Sequence, residues 1–98
     1  MVKSEFERIK EVFEYMKEWL GGYQPMNKKQ RKEVSEYVDV ILYELQHVEK
    51  ELSRVKEADN VDRAIDILLN VDNRLVSIRS DVENLIVRIF RKTYNIQR

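Results

Sequence analysis

The 98-residue chain has no cysteine, two glycines, one proline and one histidine. The lack of cysteine excludes disulfides, thiolate metal sites and cysteine nucleophiles. Two glycines are too few for a glycine-rich phosphate loop, and a single histidine leaves little for acid–base catalysis or metal binding. The composition therefore favours a non-enzymatic protein, and we expect neither a cofactor nor a metal.

Long hydrophobic runs and net charge are also missing. The longest purely apolar stretches span two or three residues, such as Ile67 to Leu69, whereas a bilayer span needs about 20. The N-terminus has no apolar signal-peptide core, and eighteen basic residues balance eighteen acidic ones. These features predict a soluble, cytoplasmic protein without membrane contact, and the length predicts one domain over residues 1–98.

The first predicted helix spans residues 5–20. Ser4 and Glu7 have the spacing of a capping box, in which each side chain accepts a hydrogen bond from a free backbone N–H. Spacings of three and four residues place one set of apolar side chains on one helix face: Phe6, Ile9, Phe13, Met16 and Leu20. Gly21 and Gly22 then favour a helix end.

Two longer segments have apolar heptad repeats and predict helices over residues 28–57 and 61–94. In the first, capped by Asn27 with Gln30, the repeat runs through Val34, Val38, Ile41, Leu45, Val48, Leu52 and Val55. In the second, it runs through Val61, Ala64, Leu68, Val71, Leu75, Ile78, Val82, Leu85 and Ile89.

The junction between these two segments has two interpretations. The heptad phase breaks at residues 57–60, and Asp59 or Asn60 can cap a new helix, which favours a tight turn and an antiparallel hairpin. The alternative is one long helix with a local stammer, in which Ala58 and Val61 carry the repeat across. We predict the hairpin, and with it an all-α fold: a long, antiparallel, coiled-coil-like helical hairpin with the shorter N-terminal helix packed on its open end.

The hairpin tip is the leading candidate for an interaction surface. Near the turn, the third predicted helix has apolar residues beyond its heptad repeat. Because each helix of a two-helix hairpin can bury only one narrow stripe, we expect some of these apolar side chains to remain exposed. The candidate interface residues are Leu52, Val55, Ile65, Ile67, Leu68 and Leu69. We expect a homo-oligomer, most simply a homodimer in a helical bundle. A different protein is an alternative partner. In the structural alternative, the tip is covered within the chain, by a tilted first helix or by the turn folding over it.

The second candidate surface is the basic end, where the start of the second helix meets the end of the third. Its members are Lys28, Lys29, Arg31, Lys32, Arg88, Arg91 and Lys92. Because bases at a helix N-terminus oppose the helix dipole, this cluster suggests binding of nucleic acid or another polyanion. The alternative interpretation is that these cations compensate the C-terminal dipoles of the first and third helices.

Two carboxylate motifs are weak candidates for metal chemistry. Glu44 and His47 have the Glu-x-x-His spacing of di-iron bundles, but His47 points away from the repeat and the motif occurs once. Glu33, Glu36 and Asp39 are similar in spacing to the carboxylates of helical magnesium-dependent nucleotide pyrophosphatases. Those enzymes require a second acidic helix facing the first, whereas the nearest part of the third predicted helix is basic here. We therefore predict solvated helix faces at both motifs.

Overall fold

The computed structural model describes residues 4–19 and 25–94. Within them lie three α-helices and no β-strand: α1 (Glu5–Trp19), α2 (Lys28–Val55) and α3 (Val61–Tyr94). Helices α2 and α3 pack extensively against each other, and α1 makes fewer contacts with α3. The all-α prediction is confirmed. The helix end predicted at Leu20 and Gly21 lies outside the described residues.

Each helix begins at a side-chain cap, as the sequence predicts for α1 and α2. The Glu7 N–H donates to Ser4 Oγ at 3.1 Å. At the start of α2 the cap is reciprocal: the Gln30 N–H donates to Asn27 Oδ1 at 2.8 Å, and the Asn27 N–H donates to Gln30 Oε1 at 3.1 Å. These bonds satisfy N–H groups that have no partner inside the helix.

The chain reverses direction between α2 and α3, which excludes the single long helix. Helix α2 ends at Val55, two residues before the predicted end. The Ala58 N–H then donates to the Val55 carbonyl at 3.2 Å, which closes a turn. Of the two candidate caps for α3, Asn60 is used: its Oδ1 accepts the Arg63 N–H at 2.8 Å.

The chain divides into two compact units, and both contain parts of α2 and α3. Unit 1 comprises Met1–Ser35 and Glu83–Arg98, and unit 2 comprises Glu36–Val82. Unit 1 thus holds α1 with the start of α2 and the end of α3, whereas unit 2 is the part of the hairpin that includes the turn. That the whole chain forms one domain stays a prediction.

Unit 1 is built on contacts between α1 and the last turns of α3. Ile9 and Phe90 are buried, and the Phe13 and Phe90 rings meet edge to face with centroids 6.0 Å apart. Arg91 forms an ion pair with Glu5. The start of α2 also contacts the end of α3, because Gln30 Nε2 donates a hydrogen bond to Thr93 Oγ1 at 3.3 Å.

Unit 2 has a small apolar core between α2 and α3. Its buried members are Val48, Ile67, Val71 and Ile78, with Ile41 and Val55 packed against them. Glu44 of α2 and Arg74 of α3 form an ion pair with 3.5 Å between Oε2 and Nη1. The core and this pair join the two helices, which run in opposite directions.

Candidate functional site: an apolar face on the hairpin

Only half of the predicted heptad repeat is buried in unit 2. On α2, every second member of the repeat (Ile41, Val48, Val55) packs in the core. The members between them are exposed, as are their counterparts on α3, with exposed fractions of 37–44%. We call these six side chains the apolar face: Val38, Leu45 and Leu52 of α2, and Leu68, Leu75 and Val82 of α3.

A different row completes the contact between the two helices. It lies three residues after the buried row and is buried or half-buried: Glu44 and Glu51 on α2, Ala58 in the turn that follows α2, and Ile67, Arg74 and Asp81 on α3. Three residues fall about 60° short of a helical turn, whereas four residues pass it by about 40°. Each helix is therefore rotated so that its polar-containing row faces inward and its second apolar row turns outward.

The two exposed rows lie on the same side of the hairpin. On both helices the exposed row follows the buried row by four residues, so both rows are displaced in the same rotational sense. Because α2 and α3 are antiparallel and face each other, equal rotations in that sense lead to one common side. The six side chains thus form one surface across both helices.

The Glu44–Arg74 pair shows which members of the apolar face are level with one another. Moving from this pair toward the turn leads to Leu52 on α2 and Leu68 on α3. Leu45 and Leu75 lie beside the pair, and Val38 and Val82 lie farther from the turn. Each pair is level to within about two residues, or roughly 3 Å. The apolar face therefore has three layers. The side chains are leucines in the two layers nearer the turn and the smaller valines in the layer farthest from it.

The opposite side of unit 2 is predominantly polar. The row that follows the half-buried residues by three positions contains His47 and Arg54 on α2, and Asn70 and Ser77 on α3. Val40 is an apolar member of this row, and Tyr43, whose ring meets His47, is also exposed on this side. By contrast, Leu42 and Ile65 border the apolar face, whereas Leu69 and Val76 lie farther around α3, on the surface that points away from α2. Exposed hydrophobic residues are thus more numerous on the side of the apolar face.

Exposed hydrophobic side chains outnumber buried ones in this protein. Among the described residues, six hydrophobic side chains are buried and eighteen large ones are exposed. Such an excess of exposed apolar side chains is typical of a surface that another molecule covers.

Four of the predicted tip residues are exposed and two are not. Leu52 and Leu68 lie on the apolar face and Ile65 beside it, whereas Leu69 is exposed on the outer surface of α3. The prediction that Ile67 is exposed is wrong, because α3 is rotated so that Ile67 enters the core of unit 2. Val55 is half-buried against the same core.

The complete apolar face was not predicted. The sequence feature that indicates it is the number of apolar positions, because two long heptad repeats contain more of them than a contact between two helices can bury.

The basic end lies in unit 1 and is partly neutralised there. Lys28, Lys29, Arg31 and Lys32 are exposed at the start of α2. Lys92, however, binds Glu33 through its ammonium group, and Arg91 binds Glu5. The hydrogen bond from Lys92 holds the pKa of Glu33 below its ordinary value, assisted by the charges of Lys92, Lys29 and Arg88. Acidic side chains therefore take up part of the positive charge.

The residues of the first metal motif have other contacts. Glu44 is paired with Arg74, and the His47 ring meets Tyr43 edge to face with centroids 4.8 Å apart. Of the second motif, Glu33 is the carboxylate that binds Lys92. Within residues 4–19 and 25–94, no group of three His, Asp or Glu side chains is arranged to hold a metal ion.

None of the described helices is both long enough and apolar enough to cross a bilayer. The chain has no significant match to a protein-family model, a curated protein or a solved structure.

Proposed function

We propose that this protein is a non-enzymatic interaction module that self-associates into a helical bundle through the apolar face of its hairpin, with the cytoplasm as its compartment. The observation that carries this proposal is the placement of six exposed Leu and Val side chains on one side of unit 2. Exposed apolar patches of this kind, bordered by polar residues, are typical of protein–protein interfaces.

The energetics favour covering this face. Full burial of a Leu or Val side chain contributes about 1.5–3 kcal/mol, so burying the remaining 40% or so contributes about 1 kcal/mol for each. A second copy supplies an identical apolar surface, and an interface between identical surfaces is the usual basis of a homodimer. Two hairpins joined in this way form a four-helix arrangement with a common core.

Light scattering from micromolar to millimolar concentration tests self-association directly. We expect the mass to rise from that of one chain to that of two. Leu45→Glu with Leu75→Glu places a charge at the middle layer of the apolar face in each helix, and we expect this variant to be monomeric with an unchanged helical circular dichroism spectrum. Ile65→Glu with Leu68→Glu tests the turn end of the same face and should also weaken association.

The matched control places two charges on the other side of unit 2. Val40 and Ser77 are exposed on that side, so Val40→Glu with Ser77→Glu changes the net charge equally without touching the apolar face. This variant should associate like the unmodified protein. A strictly monomeric protein up to millimolar concentration would refute self-association and leave a different protein as the partner. Equal disruption by the control would locate the interface elsewhere.

A further inference from the structure

Two hairpins that meet through their apolar faces can be related by a two-fold axis in two ways. In one arrangement the two turns lie at the same end, and α2 of each copy packs on α3 of the other. In the second the turns lie at opposite ends, and each helix packs on its own counterpart. Both make all neighbouring helices antiparallel. Helix direction therefore does not decide between the two arrangements, and the side chains on the apolar face and its border do.

The sizes of the three layers favour opposite ends. The layer nearest the turn contains Leu52 and Leu68, and the layer farthest from it contains Val38 and Val82. With the turns at opposite ends, the valine layer of one copy meets the leucine layer of the other, and small side chains oppose large ones. With the turns together, leucine meets leucine at one end and valine meets valine at the other, which leaves the valine end underfilled.

Charged residues bordering the face on α3 favour the same arrangement. Asp72 and Arg79 follow the buried residues Val71 and Ile78 by one position, so both lie on the border of the face, seven residues apart. A two-fold axis at the level of Leu75 brings Asp72 of each copy next to Arg79 of the other. Arg79 already interacts within its own chain. Its guanidinium has five N–H donors and can also bind a carboxylate of the other copy.

The corresponding border of α2 disfavours turns at the same end. It contains Leu42 and Glu49, one position after Ile41 and Val48. With the turns together, Glu49 lies within about a turn of Asp72 of the other copy, and Leu42 lies near Arg79. With the turns at opposite ends, Glu49 is level with Leu42 instead of with a second acid. Like charges held in register in this way destabilise an interface.

We infer that two copies of this chain pack face to face with their turns at opposite ends, so that Leu45 and Leu75 of each copy lie against the same residues of the other. This inference rests on the proposed function, since it specifies the partner and its orientation at the same face. Asp72 and Arg79 are its specificity-determining residues. They attract each other across the dimer with its turns at opposite ends, whereas Asp72 lies near Glu49 in the other orientation.

Single cysteine variants test the orientation in a chain that has no other cysteine. We expect Leu45→Cys and Leu75→Cys, each alone, to give cross-linked dimers with a short thiol-specific reagent. A mixture of the two variants, one of them tagged, should give few mixed dimers. Turns at the same end predict the reverse pattern: little cross-linking of either variant alone, and mixed dimers in the mixture.

Charge reversal gives an independent readout. Asp72→Arg places two guanidinium groups together in the inferred dimer, and we expect roughly tenfold weaker association. Adding Arg79→Asp to the same chain restores the opposite charges and should return the dissociation constant to within about twofold. Asp72→Arg would strengthen a dimer with its turns together, because it removes the contact between Asp72 and Glu49.

The two proposals fail in different ways. A monomeric protein refutes the proposed function and the inferred orientation together. A dimer that gives mixed cross-links, or that is strengthened by Asp72→Arg, refutes the orientation while self-association stands.

Discussion

Ile67 and Leu68 are consecutive residues of α3, yet 5% of Ile67 is exposed and 44% of Leu68. The two side chains differ by about 100° around the helix axis. Ile67 joins Val48 and Val71 in the core of unit 2, whereas Leu68 lies on the apolar face. The boundary between the internal core and the surface offered to a partner therefore runs between two adjacent residues.

This difference predicts unequal effects of truncation. Under dilute conditions in which the chain is monomeric, Ile67→Ala should reduce the free energy of unfolding by about 2–4 kcal/mol, because it leaves a cavity in a small core. Leu68→Ala removes a side chain that is only about half buried and should reduce it by less, about 1–1.5 kcal/mol. Urea denaturation measures both values. Equal losses would show that Leu68 contributes to the core of the single chain.

At high concentration Leu68→Ala should become more destabilising than it is in the dilute monomer. If the apolar face is an interface, Leu68→Ala should shift the concentration dependence of the melting temperature, since dimer formation stabilises the folded state by mass action. Because Leu68→Ala leaves the core of the single chain intact, its effect should appear mainly as concentration rises.

The ion pair between Glu33 and Lys92 predicts a pH-dependent contribution to stability. The folded-state pKa of Glu33 is lowered, mainly by the hydrogen bond from Lys92. A carboxylate of this kind stabilises the fold above its unfolded pKa, and the contribution is lost as pH falls through the lowered folded pKa. We therefore expect Glu33→Gln to lower the melting temperature slightly at pH 7. The difference from the unmodified protein should disappear in strong acid.

The control for this prediction is a double-mutant cycle. Once Lys92→Gln has removed the partner, Glu33→Gln should change the melting temperature at pH 7 by less than it does in the unmodified protein. The Glu33 side chain is partly exposed, so the coupling should also weaken in high salt. A coupling that is the same at pH 7 and in strong acid would contradict the role assigned to the ionised carboxylate.

The alternative function at the basic end has its own test. Binding of labelled DNA or RNA through this end should weaken steeply with salt and should fail when Lys28, Lys29, Arg31 and Lys32 are changed to Gln. The matched control changes four exposed bases of unit 2 to Gln: Lys50, Arg54, Lys56 and Arg63. Equal binding by the two variants would reduce the interaction to non-specific charge attraction.

Local signals in the sequence were sufficient for the helices and their starts. Ser4, Asn27 and Asn60 cap the helices because each can bond an N–H three residues ahead, a relationship that depends only on nearby residues. The hairpin was likewise predictable, since the heptad phase breaks where the turn occurs. Such features are determined within one or two helical turns of the chain.

The choice of the buried row could not be predicted in the same way. A heptad repeat states which positions are apolar, but two adjacent rows in α3 were apolar, and only packing against α2 selects Ile67 over Leu68. Glu44 and Arg74 lie between the helices although they are charged, because their long side chains reach each other and the solvent at the edge of the contact. This pairing involves residues 30 positions apart, beyond the reach of a local pattern.

The same ion pair favours one alignment of the hairpin. A heptad repeat alone permits α3 to slide along α2 by seven residues with its apolar rows still matched. Sliding in one direction would place Glu44 against Asp81, and sliding in the other would place it against Ile67. Either slip would separate Glu44 from Arg74, and the first would bring two carboxylates together. The pair therefore adds a preference for the observed alignment of at most about 1 kcal/mol, because both side chains are partly exposed.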